Sequence, residues 1–446
     1  MPLKVLGGAF IALAVAGCAV YRPAPLQPAS DASLAQPDLS VIAAQAAAVR
    51  HPRLAPVVIA LDQPLTPRAL GLLAVIVNPD LKAARAQAQV ADAQVFDAGL
   101  LPDPSLTLGT DQLLSGPDTH DAYLGQIALD LNAFRTRQVS RAIARAARAQ
   151  VRYDLAWQEW QTAGQARLLA VRIGGLTRAL ALDHQTSDAA EVMLQRVLAA
   201  AARGDVKADE VETRRLAASD ASDKTRQAER DLAAARMDLN RLLGLRPETV
   251  LNIDTTPPPL PTLDADALFA KARDQRLDLL ALQAGYDSQE ASLRKVVMDQ
   301  FPNLQLTVSR AQDTTGNQTL GPQISLTLPI WNRNRGGIAI ASATRAQLKA
   351  EYAARLLATR ADIADLVAGL AIAKRQRDAM AAQLAPLQVI AAQAEAAADR
   401  GDIARAASDA TRQAITDKAL ALSALDQTLA EQTIALELAV GAALTE

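Results

Sequence analysis

The sequence predicts a mainly α-helical chain with a small β part, built from very long antiparallel helical hairpins and two pairs of strands. Three observations carry that expectation: an internal duplication, long proline-free runs of helix formers, and short segments where the apolar period falls to two.

The duplication comes first because it divides the chain. Arg203-Gly204-Asp205-Val206 returns as Arg400-Gly401-Asp402-Ile403, a shift of 400 − 203 = 197 residues. The same shift carries Arg148-Ala149-Gln150 onto Arg345-Ala346-Gln347, Leu239 onto Leu436 and Gly244 onto Gly441. Upstream, Asn78-Pro79-Asp80-Leu81 corresponds loosely to Arg276-Leu277-Asp278-Leu279, and Leu101-Pro102 to Phe301-Pro302. Repeat 1 is expected over 66–245 and repeat 2 over 263–442, joined by a Pro-rich linker, 246–262, and followed by a tail, 443–446. Two copies of so long a unit favour a duplicated wall element over a solenoid.

Within repeat 1 no proline occurs from Asp118 to Arg246, and Ala, Arg, Leu, Gln and Glu dominate from about Thr136 to Arg203. A helix of that length extends on the order of 100 Å and survives only by packing along its whole length, with alanine allowing close approach. Gly204 breaks it, and a return helix from about Lys207 to Leu243 stops at Gly244, a C′ glycine. Repeat 2 is expected to do the same from about Ile338 to Ala398, with a break at Gly401, a return helix ending at Gly441, and a local bend at Pro386. Arg203, Gly204, Asp205 and Val206, and Arg400, Gly401, Asp402 and Ile403, therefore form the hairpin tips. A cytosolic coiled-coil rod would share these helices.

Before each long helix the alternation changes. Ser105–Leu108, Gln126–Leu131, Leu304–Val308 and Gln323–Leu328 read as four strands, paired through the polar loops TDQLLSGPDTHDA and RAQDTTGNQTLG. Ile127, Leu129 and Leu131 map onto Ile324, Leu326 and Leu328, an apolar row opposite a polar one. Either each pair is an amphipathic hairpin covering a helix, or the apolar row faces lipid. After residue 18 no stretch is apolar enough for a transmembrane helix, so a membrane crossing would have to be a β-barrel. Four strands cannot close one, so several chains would share it. Phe134, Phe301 and Trp331 at the strand ends fit an interfacial belt, or single packing aromatics at strand–helix junctions.

The N-terminus, MPLKVLGGAFIALAVAGC, has one positive charge at Lys4, an apolar stretch and small residues up to Cys18, and reads as a secretory signal. Its end, Val15-Ala16-Gly17-Cys18, resembles a bacterial lipobox, which implies cleavage after residue 17 and acylation of Cys18; Ala19 is not the Asp that often retains lipoproteins at the inner membrane. Residues 18–65, with YRPAPLQPA and RLAPVVIALDQPLTP, are expected to form a lipid-anchored extended arm.

Composition excludes other classes. A formal charge of −2 leaves no basic excess for nucleic acid. One cysteine and three scattered histidines, His51, His120 and His184, give neither a disulfide framework nor a Cys/His metal cluster. No catalytic constellation stands out, so the expectation is a non-enzyme without cofactor or resident metal.

A lipobox, a two-fold repeat, strand pairs entered through Leu-Pro or Phe-Pro, and very long helices broken at Gly together resemble the TolC family of outer-membrane efflux channels. Leu328-Pro329-Ile330-Trp331-Asn332-Arg333-Asn334-Arg335-Gly336 is most similar to the cation-efflux, CzcC-like branch. The resemblance implies a homotrimer in the outer membrane of a Gram-negative bacterium. Four transmembrane strands per chain would close a 12-stranded β-barrel, and the hairpins would form a periplasmic α-barrel. It further implies tips that dock on a periplasmic adaptor of an inner-membrane pump, and passive conduction of cargo, heavy-metal cations by the motif or organic toxicants and drugs as the alternative. A periplasmic lipoprotein scaffold without a pore is the rival reading. The family's gate closes through the repeat 2 hairpin, often with acidic residues. Here the acids past the tip are Asp402 and Asp409, whereas the positions expected for the gate carboxylates fall near Ala407 and Ala410.

Overall fold

Two helices of 71 and 65 residues, each folded back by a partner of about half its length, dominate the computed structural model. It describes residues 21–24, 38–60, 62–254, 256 and 263–444. The chain divides into two units between Pro37 and Asp38; residues 21–24 of the first are exposed and form no helix or strand, and the second carries every element described below.

A short helix α1 (Leu39–Ala46) precedes repeat 1. Thr66 caps α2 (Pro67–Val77) by accepting from the Ala69 N–H at 3.2 Å, with proline at the first helical position. Asn78 caps α3 (Pro79–Asp97) in the same way, its Oδ1 accepting from the Leu81 N–H at 3.0 Å. Strands β1 (Ser105–Asp111) and β2 (Ala122–Asp130) lead into α4 (Asn132–Ala202) and its return helix α5 (Ala208–Leu242). The same order then recurs as α6 (Ala265–Gln275), α7 (Leu277–Met298), β3 (Leu304–Gln312), β4 (Gln318–Leu326), α8 (Arg335–Asp399) and α9 (Arg405–Val440). Pro386 does not interrupt α8, which runs through it.

The register of the duplication extends to the packing. Ala166, Ile173, Leu239 and Leu243 are buried with Leu70 and Leu73 in one core. Shifted by 197, they become Ile363, Leu370, Leu436 and Val440, which are buried in the other. Hydrogen bonds repeat as well. Asn78 Nδ2 donates to the Leu242 carbonyl at 2.9 Å, and Arg276 Nη1 donates to the Ala439 carbonyl at 2.9 Å, so each helix pair is tied to its own return helix. The Arg276 guanidinium also pairs with buried Asp278 at 2.8 Å and lies over the Trp157 ring, 4.9 Å from its centroid. This node joins repeat 2 to α4 of repeat 1.

Helix α4 is the shared member of the two halves, packing on α2, α3 and α5 of its own repeat and on α7 and α9 of the other. Val171 is buried with Ala430 and Ile434 along the α4–α9 seam. The helices approach so closely there that a Cβ at Gly164 would collide with the Leu438 side chain.

A strap before α2 ties the halves together a second time. His51 Nε2 donates to the Ala156 carbonyl at 3.0 Å, while Nδ1 accepts from the Arg53 and Leu54 N–H groups at 3.0 and 3.1 Å. Arg53 in turn donates to the carbonyl of Gln275, at the end of α6, at 2.6 and 3.1 Å. Because Nδ1 must accept, the ring is held neutral, and burial pushes its pKa below the ordinary 6.5 despite the Glu159 carboxylate 3.6 Å away.

Protonation would cost this site two backbone hydrogen bonds. The unfolded chain takes up its proton near pH 6.5 and the folded chain only lower, so His51 leaves stability undiminished above pH 6.5 and lowers it as the pH falls through that window. Thermal unfolding in detergent should show the midpoint dropping between pH 7 and the folded pKa. His51→Ala should flatten that part of the slope and cost about 1–3 kcal/mol at pH 8, since two half-buried N–H groups lose their acceptor; an unchanged slope would show that the strap does not titrate.

Candidate functional site

The four strands form one antiparallel sheet in the order β1-β2-β3-β4, so the duplication places the two hairpins side by side. Their register sorts the side chains. Leu106, Ile127, Val308 and Pro322 stand in one row, with Leu129, Leu306 and Ile324 in the next. With Leu108, Tyr123, Leu304, Leu320 and Leu326, this face is apolar except near the loops, where Arg310 pairs with Gln318. The other face carries Ser105, Thr107, Gln126, Gln305, Thr307, Ser309, Thr319, Gln323 and Ser325, with Leu124 its one large apolar side chain.

The apolar face is uncovered. Leu108 and Leu320 are 75% and 76% exposed, and Leu106, Ile127, Val308, Ile324 and Leu326 are exposed as well. Strands β1 and β4 are both edges without a partner among the described residues, leaving two rows of backbone N–H and C=O groups open. An apolar face and two free edges of this size call for an apolar surrounding and further strands.

Of the six apolar strand positions expected from sequence, the sheet contains four: Ile127, Leu129, Ile324 and Leu326. Leu131 and Leu328 lie just beyond the strands, which end at Asp130 and Leu326, and the Leu131 N–H still donates to the Leu304 carbonyl at 2.9 Å in the register of the β2–β3 pairing. Asp130 Oδ1 accepts from the Asn132 N–H at 2.8 Å and turns the chain into α4, and the Ile330 N–H turns back to the Leu328 carbonyl at 2.9 Å ahead of α8. Phe134, Phe301 and Trp331 are all exposed at this end of the sheet, and the Arg135 guanidinium stands 5.8 Å from the Phe301 centroid.

At the opposite end of the long helices the two tips are near-duplicates. Gly204 and Gly401 sit at φ +82° and +81°, in the left-handed region. Asp205 N–H bonds to the Ala200 carbonyl at 3.0 Å and Asp402 N–H to the Ala397 carbonyl at 2.8 Å, closing each helix with a Schellman motif. Arg203 donates to Asp205 and Arg400 to Asp402, both at 2.9 Å, so each tip's charges satisfy one another. What remains open is the glycine, where a Cβ would meet nothing within 4 Å, and the neighbouring Val206 or Ile403, half-buried and exposed respectively.

Asp402 is thus held in a tip ion pair. Asp409 is partly buried: one carboxylate oxygen is buried without a hydrogen-bond partner and faces Arg196 of α4 at 3.6 Å. The pair crosses from repeat 1 to repeat 2 beside a groove of about 630 Å³ lined by residues of α4, α5 and α9. Sequence reading misses Arg196 because no local pattern marks a partner in the other repeat. Cys18 lies outside the described residues. Among the described residues no helix is long and apolar enough to cross a membrane, and no group of three or more His, Cys, Asp or Glu side chains could hold a metal ion.

Residues 268–442 match the outer membrane efflux protein family. The match spans repeat 2 almost end to end. No curated protein matches the chain by sequence. Among solved structures, a membrane protein from Pseudomonas aeruginosa is similar at 19% identity and a TM-score of 0.71, over 84% of this chain and 92% of that one. CusC, described in terms of folding and transmembrane channel formation, is similar at 18% identity and a TM-score of 0.68, over 89% of this chain and 98% of its own. The Campylobacter jejuni outer membrane channel CmeC is similar at 15% identity and a TM-score of 0.69, over 84% and 85%. At these identities the likeness is one of fold, and the fold, mainly helical with a small strand part, is that of outer-membrane channels.

Opposite faces of one strand should respond oppositely to charge. Ile324→Arg, on the apolar face, should cost up to about 2–4 kcal/mol if that face meets the hydrocarbon centre and should deplete the membrane fraction. Gln323→Arg, on the polar face, should leave it near wild type. Equal recovery of the two variants from membranes would contradict a lipid-facing apolar row.

Proposed function

We propose that the chain is the outer-membrane channel of a tripartite efflux system, anchored through acylated Cys18. In this reading three copies contribute four strands each to a 12-stranded β-barrel, and the hairpins of repeats 66–245 and 263–442 continue it as a periplasmic α-barrel. The observation that carries the reading is the sheet itself: one face apolar and bare, the other polar, both edges unpaired, and the whole mounted on helices about 100 Å long. The family match of repeat 2 supports it independently.

Conduction through a polar lumen requires no catalytic group and no cofactor. The tips are the surfaces for a periplasmic adaptor, and the inner-membrane pump supplies the energy. Opening requires residues 388–425 to splay from their neighbours. The Arg196–Asp409 pair spans the α4–α9 seam that such a movement would open. For cargo, heavy-metal cations rest on the Leu328–Gly336 motif, with drugs and organic toxicants as the other class; loss of zinc or cadmium resistance rather than drug resistance on deletion decides between them.

Reconstitution in planar bilayers tests the channel. The wild-type protein should conduct, and Asp409→Ala should raise the open fraction severalfold because one tie across the seam is lost. A protein that inserts but never conducts would leave the pore-free lipoprotein scaffold instead. At the tips, Gly204→Val and Gly401→Val each force a β-branched residue into the left-handed region, a strain of roughly 1–2 kcal/mol. The double variant should reduce cross-linking to the adaptor while still assembling; undiminished cross-linking would remove the docking role.

A further inference from the structure

The segment between β4 and α8 has no counterpart in repeat 1. Under the shift of 197, α4 begins at a position equivalent to 132 + 197 = 329, whereas α8 begins at Arg335. Over the same number of residues, repeat 2 thus holds a non-helical loop where repeat 1 is already helix.

That loop is exposed and amphipathic. Trp331 is 91% exposed, and Leu328 and Ile330 are exposed beside it, continuing the alternation of Ile324 and Leu326 past the end of the apolar face. Arg333 and Arg335 follow, both exposed, and neither side chain is joined to an acid or a hydrogen-bond acceptor among the described residues. Repeat 1 presents no equivalent: Thr136 and Gln138 occupy the shifted positions, and its nearby Arg135 is engaged by Asn132 and Phe301. Elsewhere at this end of the sheet Lys295 is matched by Asp299 at 3.3 Å and Arg137 donates to the Gly99 carbonyl at 2.8 Å, while Arg294 on α7 is exposed. The loop is fastened to α7 by Asn334 Nδ2 donating to the Val296 carbonyl at 2.9 Å, so its position follows the rigid helices.

We propose that this loop is a contact surface for anionic phospholipid, with Trp331 and Ile330 at the headgroup–acyl boundary and the Arg333 and Arg335 guanidiniums on lipid phosphates. The inference rests on the barrel reading above. Charge and continuity select the occupant. Two unpaired cations directly beyond an apolar face meet, in a bilayer, the plane of the phosphates, where an aromatic ring and guanidinium forks are both favoured.

The test uses the full chain in vesicles of phosphatidylcholine alone and of phosphatidylcholine with phosphatidylglycerol, followed by native mass spectrometry of lipids retained on the released protein. Wild type should retain phosphatidylglycerol over phosphatidylcholine, and R333Q/R335Q should lower that preference by roughly fivefold or more while inserting equally well. Trp331 fluorescence, taken as wild type minus W331F, should be quenched by lipids brominated near the headgroup more than by those brominated at the chain end. Insertion with the same phosphatidylglycerol preference in the double variant would overturn this assignment and leave the barrel standing. Failure of wild type to insert would overturn both.

Discussion

The rest of this molecule hangs on a sheet whose two edges find no partner among the described residues. Four strands with an apolar face and two open edges carry backbone groups that water can solvate and hydrocarbon cannot. In lipid the only remedy for an edge is another strand, and in the reading proposed above copies of the same sheet supply it. The long helices then become intelligible as continuation: a wall element that closes at one end by strand pairing can extend from it as helices packed side by side.

The duplication makes such a wall simple to build. One packing solution serves twice, as Ala166, Ile173, Leu239 and Leu243 reappear as Ile363, Leu370, Leu436 and Val440. Differences between the copies concentrate where the halves meet or where the surroundings change. Asn78 and Arg276 make the same bond to a return helix, but only Arg276 adds an ion pair and a stacked Trp157, fastening repeat 2 to α4. The strap through His51 and Arg53 supplies a second fastening at the same level. The Arg196–Asp409 pair is a thinner tie nearer the tips, partly solvated and so worth less. Ties are therefore firm at mid-height and slight near the tips, the distribution that a structure opening at its tips would need.

Much of the fold is legible in the sequence because it is periodic. The return helix expected from about Lys207 to Leu243 is α5, Ala208–Leu242, and Gly204 and Gly401 mark turns whose left-handed backbone only glycine enters freely. Alternation alone leaves the strands short at their loop ends. Tyr123-Leu124-Gly125 and Leu320-Gly321-Pro322 break strict alternation, and only cross-strand partners reveal them as strand. Leu131 and Leu328 continue the alternation past the ends of β2 and β4, Leu131 with one more bond to Leu304, before turns lead the chain into the long helices. Pro386 signals a local bend, and the helix is continuous through it. The strap, the buried Arg276–Asp278 pair and the partner of Asp409 leave no local signal, because each depends on residues or packing far away in sequence.

Closure of the sheet by copies of itself is the central claim, and oligomeric state measures it most directly. Native mass spectrometry of the protein extracted from outer membranes, beside unboiled gel electrophoresis, should show a heat-sensitive trimer whose subunits carry lipid on Cys18. A monomer released without detergent would contradict the shared barrel and, with it, the channel.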